Sequence, residues 1–173
     1  MNRFILSATA ALCATTALAE SHSMEAPEPT ATSEIIGLEG EAIGEATLTQ
    51  GPDGVLIHVR VEGLEPGKHG LHLHQMATCE PGEGFTTSGG HVGKVEGGHG
   101  LLNMDGPEDG DLPNLFVASD GEGEMEAYTT MITVEGLMDE DGSAFIIHEA
   151  GDDHVSQPIG GAGGRVACGM IGG

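Results

Sequence analysis

The sequence predicts an all-β domain, a sandwich or a barrel, and three observations predict it. From Ile35 onward the chain is a series of short runs rich in Val, Ile, Leu, Thr and Phe, a composition that suits a pleated, half-buried surface. Turn signals punctuate those runs: Gly51-Pro52-Asp53-Gly54, Pro66-Gly67, Asp120-Gly121 and Asp141-Gly142. No long stretch repeats its apolar residues at helical spacing, so the runs Val55 to Val61, Leu115 to Ser119, Met125 to Ile132 and Ala144 to His148 are expected as strands.

In chain order, Met1 to Arg3 supplies a positive charge, Phe4 to about Leu12 an apolar run, and Ala17-Leu18-Ala19 a small-residue cleavage site. These are the three parts of a secretory signal peptide, residues 1–19, and the mature chain is expected to begin at Glu20. The apolar run is too short to span a bilayer, and no later segment approaches the roughly 20 apolar residues a spanning helix needs. Residues 20–33, rich in Glu, Ser, Pro, Thr and Ala, read as a flexible acidic leader, with the domain proper over residues 34–173.

Charge excludes some partners. Of five cations, Arg3 lies in the signal; Arg60, Lys68, Lys94 and Arg165 then face 28 acidic residues. Such a surface repels nucleic acid and anionic membranes, and neither is expected as a partner. Cys13 also lies in the signal, which leaves Cys79 and Cys168 in a chain bound for an oxidising compartment. Two such cysteines read as one disulfide, with two unrelated thiols as the alternative.

The stretch from Gly67 to Cys79 contains His69, His72 and His74. On a strand, His72 and His74 share one face while Leu71 and Leu73 take the other, and the same parity puts His69 with the leucines as a buried, hydrogen-bonded group. A same-face pair of histidines is half a metal site or a chance pairing on an exposed strand. The rest of the chain decides between them. Two glycine-rich segments without apolar periodicity, Gln75 to Leu112 and Glu149 to Gly164, carry His91, His99, Glu108 and Asp111, and Asp152, Asp153 and His154, respectively. Loops of that length with so many potential ligands are expected to be ordered by metal and disulfide.

With these residues in view the chain resembles the copper/zinc superoxide dismutases of the bacterial, secreted kind. The resemblance is carried by Gly67-Lys-His-Gly-Leu-His-Leu-His74, Gly90-His91, Gly98-His99-Gly100, Gly110-Asp-Leu-Pro-Asn-Leu115, His148-Glu-Ala-Gly-Asp-Asp153 and Gly163-Gly-Arg-Val-Ala-Cys-Gly169, in order from about Ile35 to Gly172. It implies a Greek-key β-barrel of about eight antiparallel strands with two long functional loops. It implies an enzyme, a superoxide dismutase, that turns superoxide into oxygen and hydrogen peroxide with copper and zinc as cofactors. By resemblance, copper is held by His72, His74, His91 and His148, with His91 bridging to zinc. Arg165 guides the superoxide anion, and Asp152 links copper and zinc histidines through hydrogen bonds.

The zinc half departs from the family pattern. His91, His99 and Asp111 stand at matching positions, but Glu108 replaces the third histidine. A carboxylate can ligate zinc, so zinc bound through Glu108, zinc bound weakly with Asp105 or Asp109 assisting, and a largely empty site are the three expectations. A dismutase-like copper-binding or copper-delivery protein with little turnover is the alternative to the enzyme. Lys68 and Lys94 are expected as ordinary solvated lysines, and His154 as a surface residue. The expected location is periplasmic or secreted, and a homodimer is left open.

Overall fold

Residues 27–172 are described by the computed structural model. The signal peptide and the start of the leader lie outside them. The strands are β1 (Ala31–Gly37), β2 (Ala42–Gln50), β3 (Val55–Val61), β4 (Gly67–His69), β5 (Leu71–His74), β6 (Leu115–Val117), β7 (Gly123–Thr129), β8 (Ser143–His148) and β9 (Arg165–Ile171). A single helical turn, α1 (Val134–Leu137), is capped by Thr133, whose hydroxyl accepts from Gly136 N at 3.0 Å.

All pairings are antiparallel, in the order β4-β6-β7-β3-β2-β1-β9-β8-β5. The connection from β3 to β4 passes over β7 and β6, the long crossing of a Greek key. The two ends of the order, β4 and β5, are consecutive in sequence and separated by Gly70 alone, so the sheet curls almost into a closed barrel. Closure leaves little free edge for unwanted pairing.

Alternation along the strands fills the barrel. In β3, Val55, Ile57, Val59 and Val61 are buried and alternate with more exposed Leu56, His58 and Arg60. They join Leu48, Leu71, Leu73, Leu115, Phe145 and Ile147 in one core. A smaller cluster of Phe85, Ala144, Ile146 and Cys168 lies under the first long loop. There Cys79 and Cys168 form the expected disulfide, with their Cα atoms 5.7 Å apart, tying that loop to β9.

Two expectations are corrected. The stretch from Gly67 to His74 is not one strand but two, β4 and β5, and the described residues form nine strands, in line with the expected barrel of about eight. Gly70 is the break: its N–H bonds Ala150 O at 2.8 Å, its carbonyl accepts from His148 N at 2.9 Å, and a Cβ there would stand 2.8 Å from that of Ala162. The leader also ends earlier than residue 33. Ala31, Thr32 and Ser33 pair with Leu48, Thr47 and Ala46 of β2, which supplies the partner that their small, weakly patterned side chains did not announce.

Candidate metal centre

The site is built where the first long loop covers the free edge of β5. Leu73 N donates to Gly110 O at 2.8 Å, and Leu73 O accepts from Val92 N at 2.9 Å. Isolated bridges set His74 opposite His91 and His72 opposite Asp111. Residues directly opposite in an antiparallel pair have close Cβ atoms, so backbone pairing alone brings two loop residues beside two strand histidines. His148, at the end of β8, completes the group because β8 pairs with β5.

The ligand atoms of His72, His74 and His148 lie within 4.8 Å of one another, all buried. The His91 ring is 4.3 Å from that of His72 and 5.0 Å from that of His74, centroid to centroid. Each of the four rings is aimed by one nitrogen. His72 Nε2 bonds Asp152 Oδ2 (2.8 Å), His74 Nδ1 Gly89 O (2.9 Å), His91 Nδ1 Glu108 Oε2 (2.7 Å), and His148 Nδ1 Gly163 O (3.0 Å). A carbonyl or carboxylate only accepts, so these nitrogens carry the hydrogens and the opposite nitrogens carry lone pairs. Those four opposite atoms, His72 Nδ1, His74 Nε2, His91 Nε2 and His148 Nε2, are buried without a hydrogen-bond partner.

An unsatisfied buried polar atom costs about 1–3 kcal/mol. Three of them, on His72, His74 and His148, come from one mutually close group, with the His91 ring packed against those of His72 and His74, and such a set binds a cation that accepts imidazole nitrogen; copper is such a cation. Protonation is suppressed as well. Burial lowers His72 to about 4 and His74 to about 2 and also lowers His148, with the Arg165 charge adding to the effect on the last two, so these imidazoles are neutral at pH 7. The neutral form is the one that ligates.

The second cluster brings His91, His99 and Asp111 together with His72. Asp111 Oδ1 is 2.9 Å from His99 Nδ1 and 3.2 Å from His91 Nδ1, while Oδ2 accepts from Gly100 N and Glu108 N. Burial pushes the Asp111 carboxyl up, but the hydrogen bonds from His91, Gly100 and Glu108 and the charge of His99 hold it at about 2. This donor set, imidazole with carboxylate, suits zinc. Glu108 is buried beside it but is not a member of the cluster. It meets His91 through Oε2, and its Oε1 accepts from Val95 N at 3.0 Å.

Asp152 joins the two clusters. Its Oδ2 lies 2.8 Å from His72 Nε2 and 3.2 Å from His99 Nε2. Burial raises its carboxyl pKa, but the His72 bond and the His154 N–H hold it below the usual carboxylate range. Gly160 makes room: at φ +61 it takes a conformation L side chains rarely adopt, and a Cβ there would collide with Asp152 Oδ1.

Two residues at this junction were missed. Asn114 exchanges two bonds with the Asp152 backbone, at 2.8 and 2.9 Å, and its Nδ2 also donates to His154 Nε2 at 3.0 Å. His154 is therefore not a free surface group; its Nδ1 is buried, 3.6 Å from Asp152 Oδ2. Asn114 sat inside a quoted motif without an assigned role. Its pairing with residues 152 and 154 spans about forty positions and leaves no local sequence signal.

The copper-side rings open onto a cleft of about 640 Å³ lined by Lys94 and Arg165 among others. Arg165 is half-buried there and anchored at both ends of its guanidinium: Nη1 donates to Phe85 O (2.7 Å) and Ser88 Oγ (3.0 Å), Nη2 to Gly89 O (2.9 Å). Lys68 does not line that cleft; its ammonium lies 5.5 Å from the centroid of the Phe116 ring. A larger cleft of about 830 Å³, between residues 42–45, 60–62 and 116–124, contains none of the histidines.

A nearly closed antiparallel barrel with two buried clusters that share the His72 imidazole has the form of a protein with two neighbouring metal sites. The family profile described as copper/zinc superoxide dismutase (SODC) matches residues 42–171, and the chain belongs to that family. It is 43% identical over 140 residues to "Superoxide dismutase [Cu-Zn]" of Caulobacter vibrioides, covering 77% of this chain and 80% of that one. Among solved structures, a SOD-like protein from Bacillus subtilis superposes with TM-score 0.75 at 33% identity, over 81% of this chain and 97% of that one. The Cu/Zn superoxide dismutase from Brucella abortus does so with TM-score 0.66 at 27% identity, over 81% and 97%. Family and site together make the chain an enzyme of the superoxide dismutase class.

Proposed function

We propose that the chain dismutates superoxide to oxygen and hydrogen peroxide, with copper held by His72, His74, His91 and His148. The observation that carries this reading is a set of four buried, unpartnered imidazole nitrogens, three of them (on His74, His91 and His148) belonging to residues that line a cleft with a fixed arginine. Copper held there would supply the one-electron redox chemistry that dismutation needs. The chain supplies the rest. Arg165 binds the anion in the cleft, its charge permanent and its plane fixed by three oxygens. His91 Nε2 would take up a proton only when its lone pair is not given to copper and would pass it to the departing peroxide; solvent would supply the other.

Zinc is assigned to His91, His99, Asp111 and Glu108. Burial of Glu108, its 2.7 Å approach to His91 Nδ1 and the Val95 N–H that holds its other oxygen support a carboxylate poised as the fourth ligand. Two imidazoles and two carboxylates form a reasonable zinc set. Glu108 in place of a neutral histidine also removes a unit of positive charge, which weakens attraction of superoxide and lowers the copper potential.

The copper-delivery alternative draws support from the altered position at Glu108 and from the acidic surface. A carrier has no use for an arginine locked beside the open side of the copper rings. The same reading makes residues 1–19 a cleaved signal, the mature protein periplasmic or secreted, and self-association into a homodimer open to measurement.

The test is a superoxide dismutation assay on the mature protein loaded with copper and zinc, with metal content per chain measured on the same sample. One copper, one zinc and an activity abolished in His148→Ala are the expected result. Bound copper without dismutation would move the chain to the carrier class, and copper bound with no zinc taken up would count against Glu108 as a zinc ligand.

A further inference from the structure

The Ser88 hydroxyl, the one side-chain oxygen among the three that hold Arg165, is fully buried between the copper-side His74 and Arg165. Its hydrogen-bonding capacity is fully used. Phe85 O can only accept, so Ser88 Oγ–H donates to it, at 2.9 Å. The oxygen then has two lone pairs left. Arg165 Nη1, which can only donate, takes one at 3.0 Å, and His74 Nδ1 faces the other at 3.3 Å. His74 Nδ1 carries a hydrogen because it also donates to Gly89 O, at 2.9 Å, and Gly89 O accepts Arg165 Nη2 at 2.9 Å too. Arg165 and His74 therefore share two acceptors, a backbone carbonyl that any sequence would offer and a hydroxyl that exists only because residue 88 is serine.

The local backbone is arranged to present that hydroxyl. Ser88 ends the short 3₁₀ turn Thr86–Ser88, which Phe85 enters at φ +59, a left-handed conformation uncommon for a bulky residue. Phe85 is held there by packing in one cluster with Cys168, whose disulfide partner Cys79 packs against the same cluster.

We propose that Ser88 is a positioning residue that fixes the plane of the Arg165 guanidinium in the cleft and couples anion binding at Arg165 to the His74 ring. This rests on the reading of Arg165 as the anion-binding group. With both Nη groups held by oxygens on two sides, the guanidinium resists rotation about its Cζ–Nε bond. Without the Ser88 oxygen, Nη1 keeps Phe85 O and Nη2 keeps Gly89 O, so the side chain stays in the cleft with its charge intact but is held by two oxygens instead of three and turns more readily. A purely local role for Ser88, bonding Phe85 O within its own turn, predicts no change in anion binding.

The probe is azide, titrated into the oxidised copper-loaded protein and followed by the copper absorption band, for wild type, Ser88→Ala, Arg165→Met and the double variant. Ser88→Ala is expected to keep its copper and to weaken azide about three- to tenfold, the scale of one ordinary net hydrogen bond, because the guanidinium keeps its other two acceptors. Arg165→Met is expected to weaken it further, and the double variant to match Arg165→Met, since Ser88 acts through Arg165. If Arg165→Met leaves azide unchanged, the anion-binding reading itself fails. If Arg165→Met weakens azide while Ser88→Ala does not, or if the two losses add, the role of Ser88 falls alone. A second measurement needs no copper: in the metal-free protein the Arg165 Nη resonances are expected to be distinct in wild type and averaged by rotation in Ser88→Ala. Equal rotation in both proteins overturns the proposal whatever the metal loading.

Discussion

The two halves of the metal centre are built in different ways. Three copper-side residues, His72, His74 and His148, sit on β5 and β8, whose ladder runs from Leu71 opposite Ile147 to His74 opposite Ala144. The zinc-side residues, His91, His99, Glu108 and Asp111, all fall within one loop that has no regular strand and reaches β5 only through isolated bridges and a few backbone bonds. The sheet therefore aims the copper side before any metal arrives, whereas the zinc side depends on tethers. Glu108, the departure from the family pattern, lies on the tethered side, where geometry adapts more easily to a new side chain.

Cutting a tether gives the largest expected separation of the two halves. Replacing Cys79 and Cys168 together by serine removes the crosslink between the loop and β9, and in the chain-entropy model costs about 4 to 5 kcal/mol. Urea unfolding should show that loss, and zinc should be lost more readily than copper. Equal loss of both metals would break the contrast.

Acid should act mainly on the copper side. In the unfolded chain each imidazole titrates near 6.5, but in the folded metal-free protein burial holds His72 near 4 and His74 near 2, with His148 lowered as well. The unfolded state binds protons more readily, so the stabilisation is complete above about pH 6.5 and is lost as pH falls below it. His72 alone accounts for on the order of 3 kcal/mol by pH 4. Asp111, held near 2, adds a loss only below about pH 4. Urea midpoints of metal-free protein between pH 7 and pH 4 measure this, and His74→Gln should flatten the profile. A midpoint independent of pH across that range would contradict it.

A smaller effect should ignore the boundary between the halves. Asp152 touches His72 on one side and His99 on the other, so Asp152→Asn should weaken both metals, by about 10- to 100-fold. Competition with a chelator for each metal would show it. An effect on one metal alone would mean that the two clusters are held independently.

The same contrast explains what could be read in advance. The strand Val55–Val61 was legible to the residue because alternation is local, and the parity of His72 and His74 follows from two positions on one strand. The split of Gly67–His74 at Gly70 was not legible, because its causes are Ala150, Ala162 and His148 across the fold. Asn114 and His154 escaped for the same reason, as did the hydroxyl of Ser88, whose partners His74 and Arg165 lie 14 and 77 positions away. Glu108 was legible as a departure from a pattern, yet its place beside His91 and outside the four-residue cluster comes only from the loop's path.

The smallest expected effect concerns what the loop adds besides ligands. Lys94 lies in the zinc-side loop and lines the copper-side cleft with Arg165, whereas Lys68 stands over Phe116 and does not. Lys94 is exposed, so its field passes through water, where an added charge at several ångströms contributes less than about 1 kcal/mol and is screened over about 10 Å at 0.1 M salt. Lys94→Gln should therefore slow the second-order dismutation rate by less than about threefold at low ionic strength. The deficit should vanish in high salt, and Lys68→Gln should leave the rate unchanged at any salt. A deficit that survives high salt would make Lys94 a contact for the substrate and no longer a distant charge. An equal effect at Lys68 would mean that net charge alone, and not the position of the loop lysine, sets the rate in a protein this acidic.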